Sequence, residues 1–381
     1  MSDTDSADPV IIIGAGPAGL AAAEQLAKRN IEYVILEKDS QVAGSLRRVD
    51  PEMRLLSPKG LSVMPDMTLD PDAPTYLPFG VLVHELERYQ QQHNLTVRLD
   101  CMVLSIRKEA HGFMVSYRED RNARRELRGS HVINATGIIS QPRLPDNFYF
   151  TAPRWRHSVD VRAQDIANAQ KLVVVGGGAS AAEVLETWLR VRQEGDLAWL
   201  SLRSKLHALP HWILGIDVHY FAWLPEHIRT NWLGWRIGRL KEPMTGRAVV
   251  QAMRKGLIKR APPVRRYDWV EIEFENGEVI EPNLIVFATG FTYAVEHLKE
   301  VVDLDPDGRP LVKNCESTRM PGVFLLGYRF GRTFASPYLR GIARDAEYVA
   351  GRIAREKHNA REKHNAREKH NAREKHNAGE T

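Results

Sequence analysis

Short apolar runs that end in glycine recur along the chain, and each is followed by a stretch with helical periodicity. Residues 10–13 read VIII and lead into GAGPAGL, after which helical spacing continues to about residue 29. Residues 171–176 read KLVVVG, and a second helical stretch runs from about residue 180 to 192. Fully apolar strands that alternate with helices are typical of parallel sheets covered on both faces. The pattern therefore predicts an α/β protein with parallel sheets.

Two other apolar runs resemble each other and lie on either side of the second glycine-rich unit. Residues 130–137 read SHVINATG and residues 283–290 read NLIVFATG, so each predicted strand closes on a Thr-Gly turn. We expect the chain to leave one nucleotide-binding domain after the first run and to return to it at the second. The fold class predicted is α/β, with two Rossmann-like dinucleotide-binding domains, one inserted into the other, and a repetitive C-terminal tail.

The predicted boundaries follow from this arrangement. A first domain begins at residues 1–155 and is completed by residues 285–353, while residues 156–284 form the inserted domain. Residues from about 205 to 245 are rich in tryptophan and histidine and interrupt the alternating pattern, so they are predicted to be a helical insertion. The tail is residues 354–381.

The tail repeats the hexad REKHNA four times between residues 355 and 378. Six helical residues turn through about 600°, so successive histidines point to different faces and cannot share one metal ion. We expect a weakly helical, solvated extension, in which His358 can pair with Glu362. A basic docking arm is the alternative.

Net charge and cysteine content exclude several classes of function for this chain. The formal net charge is +5, but each of the four repeat units contributes +1, which leaves residues 1–354 close to neutral. The body therefore lacks the basic surface expected for nucleic-acid binding. Cys101 and Cys315 are the two cysteines, too few for a disulfide framework or a cysteine zinc site, and no metal site is expected. The polar N-terminus and the absence of a long apolar run predict a cytoplasmic protein without a membrane span.

The first glycine loop, residues 14–19, fits a dinucleotide-binding pattern. Gly14, Gly16 and Gly19 follow a strand and open a helix, which is the context that G-x-G-x-x-G requires. Gly14 allows the tight turn, Gly16 lets the backbone approach a pyrophosphate, and Gly19 allows close helix–strand packing. Glu37 ends the next strand, where a carboxylate accepts hydrogen bonds from a ribose diol and repels a 2′-phosphate.

The second glycine loop, residues 176–181, repeats the pattern with Gly176, Gly178 and, at the third position, Ala181. The strand that follows ends in SLRSK, so Arg203 and Lys205 stand where the first unit has Glu37. A guanidinium there suits the 2′-phosphate of NADP. One loop with an acid and one with a base therefore predict two different dinucleotides, and FAD with NADPH fits best.

The chain resembles the class B flavin-dependent monooxygenases. Within that family it is most similar to the short flavin monooxygenases of the plant auxin-forming type and their bacterial relatives. The resemblance covers nearly all of residues 8–353. It rests on motifs that occur here in the family's order: IIIGAGPAGLAAAEQL, ILEK, RLLSPKGLSVMPD, PTYLPFGVLVHELERYQQQHNL, INATGIISQPRLP, VVVGGGASAAEVLE, LSLRSKLHALPHWILG, LIVFATGF and PGVFLLGYRFG.

The resemblance implies an activity and a set of site residues. NADPH reduces the flavin, O₂ adds to give a C4a-(hydro)peroxyflavin, and one oxygen atom passes to a small organic substrate. The predicted catalytic residues are Lys59 and His157. The predicted FAD-binding residues are Gly14, Gly16, Pro17, Ala18, Gly19, Glu37, Lys38, Gly137 and Gly327. The predicted NADPH-binding residues are Gly176, Gly178, Ser180, Ala181, Arg203, Lys205 and Gly290.

One stretch departs from the family's pattern. The family has Phe-x-Gly-x-x-x-His-x-x-x-aromatic before the second loop, whereas this chain reads FTAPRWRHSVDV. Phe150 and His157 are one residue too far apart, Ala152 replaces the glycine, and Val161 stands at the aromatic position. The missing tryptophan argues against a Baeyer–Villiger enzyme.

Two alternatives stay open from the sequence. The same two loops would serve an NADPH-dependent reductase or dehydrogenase that passes electrons to another acceptor, although the chain has no C-x-x-C pair to relay them. A flavin-binding protein without enzymatic activity, whose tail recruits a partner, is the third reading. The expected partners are a small-molecule substrate and O₂, with a homodimer as an open possibility.

Overall fold

The computed structural model describes residues 8–120, 122–145, 154–204, 208–209, 212–213, 215–221, 244–245, 247–267, 270–329 and 331–378. Its α-helices are α1 (Pro17–Ala27), α2 (Gly44–Arg47), α3 (Phe79–Gln92), α4 (Ala163–Ala167), α5 (Ala179–Val191), α6 (Val218–Phe221), α7 (Arg247–Arg254) and α8 (Leu339–Ala378). Short 3₁₀ helices span Lys59–Leu61 and Glu296–Leu298.

The strands in the described residues fall into two halves of the chain. Up to residue 201 they are β1 (Val10–Ile13), β2 (Tyr33–Leu36), β3 (Val97–Arg98), β4 (Cys101–Lys108), β5 (Phe113–Glu119), β6 (Ala123–Gly129), β7 (His131–Asn134), β8 (Gln141–Pro142), β9 (Trp155–His157), β10 (Lys171–Val175) and β11 (Leu197–Ser201). Beyond it they are β12 (Ala208–Leu209), β13 (Trp212–Ile213), β14 (Ile216–Asp217), β15 (Met244–Thr245), β16 (Ile258–Ala261), β17 (Val264–Tyr267), β18 (Ile272–Phe274), β19 (Val279–Ile280), β20 (Leu284–Phe287), β21 (Phe291–Thr292), β22 (Val312–Lys313), β23 (Glu316–Ser317) and β24 (Val323–Leu325).

A seven-stranded sheet contains the first glycine-ended strand. Its order is β22-β23-β24-β7-β1-β2-β3, and the run from β24 to β3 is parallel. All four residues of β1 are buried, because both faces of the sheet are covered. Apolar residues of α1, α3 and α8 cover one face. The antiparallel strands β4–β6 and residues 295–302 cover the other face.

A second sheet of five strands contains the second glycine-ended strand. Its order is β16-β11-β10-β20-β9, and every neighbouring pair is parallel. The amphipathic helix α5 packs on one face, where Trp188 is fully buried. The hairpin strands β17–β19 cover the other face through Tyr267, Ile272 and Phe274.

The two sheets take their strands from separate stretches of the chain. The larger sheet uses residues 10–134 and 312–325, and the smaller sheet uses residues 155–287. The predicted α/β class with parallel sheets is confirmed. The path of the chain through the two sheets is the one that an inserted domain requires. The domain boundaries themselves stay a prediction.

Residues that precede the second sheet in sequence also pack against it. Val49, Met53 and Phe79 belong to the same apolar cluster as α5. The Asp50 carboxylate accepts a hydrogen bond from the Ala163 backbone N–H at 2.9 Å, which joins the 47–53 segment to the start of α4.

The described part of the predicted helical insertion is mainly extended. Strands β13 and β14 form a tight antiparallel hairpin, and α6 is four residues long. Gly215 lies in the turn with φ +81°, a conformation that glycine adopts without steric cost. The helical prediction was therefore wrong for residues 212–213 and 216–217, which are strands, and residues 214 and 222–243 lie outside the described residues.

The final helix α8 packs on α1 and continues through the repeats to Ala378. This differs from the weak helix expected of the tail, and the reason is that extending a packed helix avoids the cost of nucleation. Of the tail side chains that are described, residues 355, 358–366 and 368 are exposed, and Ala354, Glu356 and Lys357 are half-buried. The predicted pair of His358 with Glu362 is present, with Nε2 to Oε1 at 3.4 Å. Among the described helices, none is both long and apolar enough to cross a membrane.

Candidate functional site

The first glycine loop turns sharply at the carboxyl end of β1. Gly14 has φ +99°, and its N–H donates to the Leu36 carbonyl at 2.8 Å. A Cβ atom at Gly14 would lie 2.9 Å from the Ala135 carbonyl oxygen, so a side chain is excluded there. Gly16 is the N-cap of α1 and Pro17 occupies the first turn, where the missing N–H of proline costs nothing.

The other two glycines of this loop differ in what surrounds them. A Cβ atom at Gly16 would meet nothing within 4 Å, which leaves the backbone open to a ligand. A Cβ atom at Gly19 would overlap the Gly14 carbonyl, so that position is closed by helix–strand packing. Gly327, with φ +75°, lies beside Ala18 at the start of α1. The tight turn at Gly14 and the close packing at Gly19 are present, and the FAD-binding roles of these glycines stay predictions.

Glu37 follows β2 and is buried beside the same loop. Its Oε2 accepts a hydrogen bond from the Ala15 N–H at 2.6 Å, and its Oε1 accepts one from the Asp39 N–H at 3.0 Å. Burial raises the pKa of Glu37, and the two backbone donors oppose that shift. The neighbouring Lys38 is exposed. The carboxylate is thus held against the loop, within reach of a hydroxyl-bearing ligand.

The second glycine loop has the same geometry. Gly176 has φ +124°, its N–H donates to the Ser201 carbonyl at 3.1 Å, and a Cβ there would overlap the Ala288 carbonyl. Gly178 is the N-cap of α5 and, like Gly16, would meet nothing within 4 Å. Ala181 is fully buried, so a methyl group is accommodated at the third position. Ser180 lies in the first turn of α5.

The strand ends beside the two loops carry opposite charges. Arg203 is exposed just beyond β11, whereas the corresponding Glu37 is buried. Lys205 lies outside the described residues. The second loop therefore has a solvent-facing cation at the place where the first has a buried carboxylate.

The two Ala-Thr-Gly turns lie over the two glycine loops. Ala135 N–H donates to the Ile13 carbonyl at 2.8 Å, and Ala288 N–H donates to the Val175 carbonyl at 2.9 Å. Gly137 and Gly290 have φ +72° and +82°, and a Cβ at either would meet nothing within 4 Å. The turns thus extend the open backbone surface at the carboxyl edge of each sheet, where α/β proteins bind ligands.

His157, the last residue of β9, joins its strand to the second turn. Its Nε2 lies 3.0 Å from the Gly290 carbonyl, and its Nδ1 accepts the Val159 N–H at 3.3 Å. Only a neutral ring protonated at Nε2 satisfies both contacts. The ring packs edge-on against Phe291, and burial lowers the pKa of His157. Its geometry is that of a residue that positions the 288–290 turn.

The position four residues after His157 explains part of the departure from the family's pattern. Val161 is fully buried in the apolar cluster of the second sheet. An apolar aliphatic side chain therefore fills core space where the family has an aromatic ring. Phe150 and Ala152 lie outside the described residues.

A buried polar network under the first turn was not foreseen from the sequence. Asn134 donates to the Tyr328 hydroxyl at 2.7 Å and accepts from His297 Nε2 at 2.8 Å, and the Thr136 hydroxyl lies 2.8 Å from that of Tyr328. Burial lowers the pKa of His297 to about 4, so its ring is neutral. The network fixes the 135–137 turn much as His157 fixes the second one. Asn134 at the end of β7 is its only signal in the sequence, since His297 lies in the 3₁₀ helix Glu296–Leu298.

Lys59 is tied to a neighbouring loop. Its ammonium donates to the carbonyls of Pro71 and Ala73 at 2.8 and 2.6 Å. The Tyr76 hydroxyl, at the end of this loop, donates to the buried Asp217 carboxylate at 2.7 Å. Lys59 thus holds the 71–76 loop, which in turn contacts the insertion, and its catalytic role stays a prediction.

Glu183 is a second feature that the sequence analysis did not predict. From the sequence alone it resembles an ordinary helix residue. It lies one turn into α5, behind the second glycine loop. Burial raises the pKa of Glu183 to about 7, and the Glu186 carboxylate adds to the shift. A carboxyl group that titrates near neutrality at this point can respond to a charged ligand.

Comparison with known proteins finds similarity to oxidoreductases and monooxygenases. Residues 11–195 match the family model described as pyridine nucleotide-disulphide oxidoreductase. An uncharacterized oxidoreductase, CzcO-like, from Geobacillus kaustophilus is 26% identical over 353 residues, covering 90% of this chain and 97% of that one. The indole-3-pyruvate monooxygenase YUCCA6 of Arabidopsis thaliana is 27% identical over 382 residues, covering 89% and 88%.

The fold comparison agrees with the sequence comparison. A variant of a flavin monooxygenase from Stenotrophomonas maltophilia superimposes with a TM-score of 0.72 at 22% identity, covering 91% of this chain and 98% of that one. The resemblance to class B flavin-dependent monooxygenases is therefore confirmed.

The contacts of His157 lead to a pH-dependent prediction. Because the folded pKa is lowered, the unfolded chain takes up the proton first, and stability is lost as the pH falls below about 6.5. We expect His157→Gln to have a lower Tm than the wild type at about pH 7.5, and the difference to shrink towards about pH 5. Thermal melts across this range measure it.

The matched control is His84→Gln, since the His84 side chain is 68% exposed on α3. This variant should follow the wild type at every pH. A difference between wild type and His157→Gln that does not change with pH would contradict a buried, neutral His157.

Proposed function

We propose that this protein is a flavin-dependent monooxygenase that binds FAD at the first glycine loop and NADPH at the second. The observation that carries the proposal is the paired geometry of the two loops, with a buried acid at one strand end and an exposed arginine at the other. The enzyme class and the two cofactors agree with the oxidoreductase family model and the monooxygenase relatives.

The residues of the first loop fit FAD. The backbone at Gly16 and Gly137 is open where a pyrophosphate would approach, and the N-terminus of α1 favours negative charge. Glu37 would bind the ribose hydroxyls in exchange for its contact with Ala15. Pro17, Ala18, Gly19, Lys38 and Gly327 would complete the site. We infer that residues 1–155 and 285–353 form this FAD domain.

The residues of the second loop fit NADPH in the inserted domain, residues 156–284. Gly178 and Gly290 leave the backbone open at the start of α5, where Ser180 lies. Arg203 and Lys205 would bind the 2′-phosphate that distinguishes NADPH from NADH. His157 would hold the 288–290 turn in place, since its Nε2–H contacts the Gly290 carbonyl.

Bound FAD would supply hydride acceptance from NADPH and the activation of O₂. The balanced reaction consumes NADPH, a proton, O₂ and substrate, and it yields NADP⁺, water and a substrate with one added oxygen atom. The chain's own groups bind and orient the cofactors and keep water out. Lys59 would act through the 71–76 loop, which it binds at the Ala73 carbonyl. Tyr76 of this loop contacts Asp217 of the insertion. The cytoplasmic location and the homodimer stay predictions.

A second candidate is an NADPH-dependent reductase. The matching family model is named for disulphide oxidoreductases, and the stretch before the second loop departs from the monooxygenase pattern at Val161. Cys101 and Cys315 are both buried and unpaired, so the acceptor would have to be another molecule rather than a dithiol of this chain.

An oxygen-balance experiment separates the two candidates. Purified protein is mixed with NADPH and ¹⁸O₂ and with a panel of amines, sulfides, ketones and 2-oxo acids, and product, hydrogen peroxide and NADPH are counted. We expect at least one substrate to take up one ¹⁸O atom per NADPH consumed, with little peroxide. If no substrate takes up oxygen and the NADPH consumed is matched by reduction of an added ferredoxin-like protein, the reductase is correct.

Two glycines of the first loop test the FAD site by a matched pair of substitutions. A methyl at Gly16 enters open space, so Gly16→Ala should keep the apoprotein Tm and reduce FAD content. A methyl at Gly19 overlaps the Gly14 carbonyl, so Gly19→Ala should destabilise the apoprotein by about 1–3 kcal/mol. Melting curves and flavin absorbance measure both. Equal Tm losses in the two apoproteins, or full FAD content in Gly16→Ala, would argue against this site.

Arg203 tests the choice of nicotinamide. Arg203→Ala removes a charge-assisted contact of about 1.5–3 kcal/mol, so the Kd for NADPH should rise roughly tenfold or more. NADH binding should be nearly unchanged. Arg124→Ala, an exposed arginine of β6, is the control and should behave as wild type. Equal losses for both nucleotides would show that Arg203 does not contact the 2′-phosphate.

A further inference from the structure

Three residues that are far apart in sequence meet at the far end of α1. Glu24 lies in the last turns of α1, Asp66 in the loop after the 3₁₀ helix, and His93 is the C-cap of α3. One potential ligand atom from each lies within 4.8 Å of the other two. No other such cluster of three metal-ligating groups occurs in the described part of the chain.

The cluster contains buried groups that face one another. Glu24 is 3% exposed, although a carboxylate is seldom buried so deeply without a counter-charge. The Nε2 atom of His93 is buried and has no hydrogen-bond partner among the described residues. The Tyr89 ring packs 4.4 Å from the imidazole, centroid to centroid, and fixes its orientation. An imidazole nitrogen without a hydrogen-bond partner lies beside two carboxylates. Together these groups offer ligand atoms that a bound cation would satisfy.

Lys28 supplies part of the positive charge that the two carboxylates require. Its ammonium contacts the Glu24 carboxylate and lies 3.3 Å from Asp66 Oδ2. The two carboxylates and one ammonium carry a formal net charge of −1, and the ammonium, which contacts both carboxylates, is not a hydrogen-bond partner of His93 Nε2. The Lys28 side chain is 51% exposed, so it can rotate into solvent and release the carboxylates.

We propose that Glu24, Asp66 and His93 form a binding site for a divalent transition-metal ion such as Zn²⁺, with Lys28 as the cation that the metal displaces. An imidazole with two carboxylates suits Zn²⁺, Co²⁺ or Fe²⁺ better than Ca²⁺ or Mg²⁺, which prefer oxygen ligands alone. Bonds of about 2.1 Å in a tetrahedral site place ligand atoms about 3.4 Å apart, so small side-chain rotations close the cluster. Water would fill the fourth position.

The metal would join α1, α3 and the 66 loop rather than enter the reaction. Glu24 lies eight helical positions beyond Gly16, which is about 12 Å along the axis from the open loop. The site is therefore independent of the proposed nucleotide sites, and its failure would leave the proposed function untouched.

The test titrates EDTA-treated, full-length protein with Co²⁺ and Zn²⁺, following Co²⁺ absorption bands and calorimetry. The wild type should show one site that His93→Ala and Glu24→Gln lose. The loss should exceed the roughly 10–100-fold that removal of an outer-shell partner costs. Lys28→Met removes the competing ammonium and keeps the apolar stem, so it should bind the metal more tightly than wild type.

Matched controls test whether the effects are specific to His93 and Lys28. His84→Ala removes an exposed histidine of the same helix, and Lys299→Met removes an exposed lysine paired with Glu296, so both should bind as wild type does. Flavin content and far-UV circular dichroism confirm folding of each variant. Equal metal stoichiometry and affinity in wild type and His93→Ala would overturn the proposal, as would weaker binding by Lys28→Met.

Discussion

The close approach of two carbonyl groups to two glycines is the constraint on which the rest of this structure depends. The Ala135 oxygen lies against Gly14, and the Ala288 oxygen lies against Gly176. Neither position accepts a side chain, and both glycines have positive φ. Each carbonyl contact fixes its glycine loop against the end of the neighbouring strand. The helix that follows therefore begins with its N–H groups facing outward. The open backbone at Gly16 and Gly178 is a consequence of this contact.

Fixed turns beside these loops make the open surface rigid. In the second sheet His157 bonds directly to the Gly290 carbonyl, and in the first sheet Asn134, His297 and Tyr328 fix the equivalent turn. Both solutions use a buried, neutral histidine, whose burial lowers its pKa. A ligand site built from backbone needs such support, because backbone groups keep their direction only when the surrounding side chains hold it.

The helix α1 links two regions of different chemistry. Its N-terminus opens towards the proposed FAD site, and its C-terminal turns carry Glu24 and Lys28 into the acidic cluster with Asp66 and His93. The helix dipole places partial negative charge at that second end, which favours cations there and anions at the first. One element would thus serve the proposed FAD site at one end and the proposed cation site at the other.

The strand–glycine–helix units and the opposite charges of Glu37 and Arg203 were determined by the sequence alone, because each depends on residues close together in the chain. The α/β class and the resemblance to flavin monooxygenases followed from them. Only the tertiary structure decided which distant groups meet: His157 with Gly290, Asn134 with His297 and Tyr328, and Glu24 with Asp66 and His93. It also decided that Lys59 bonds to loop carbonyls and that β13 and β14 form a hairpin. Such contacts depend on side-chain direction and on how strands and helices pack, and neither is encoded in local periodicity.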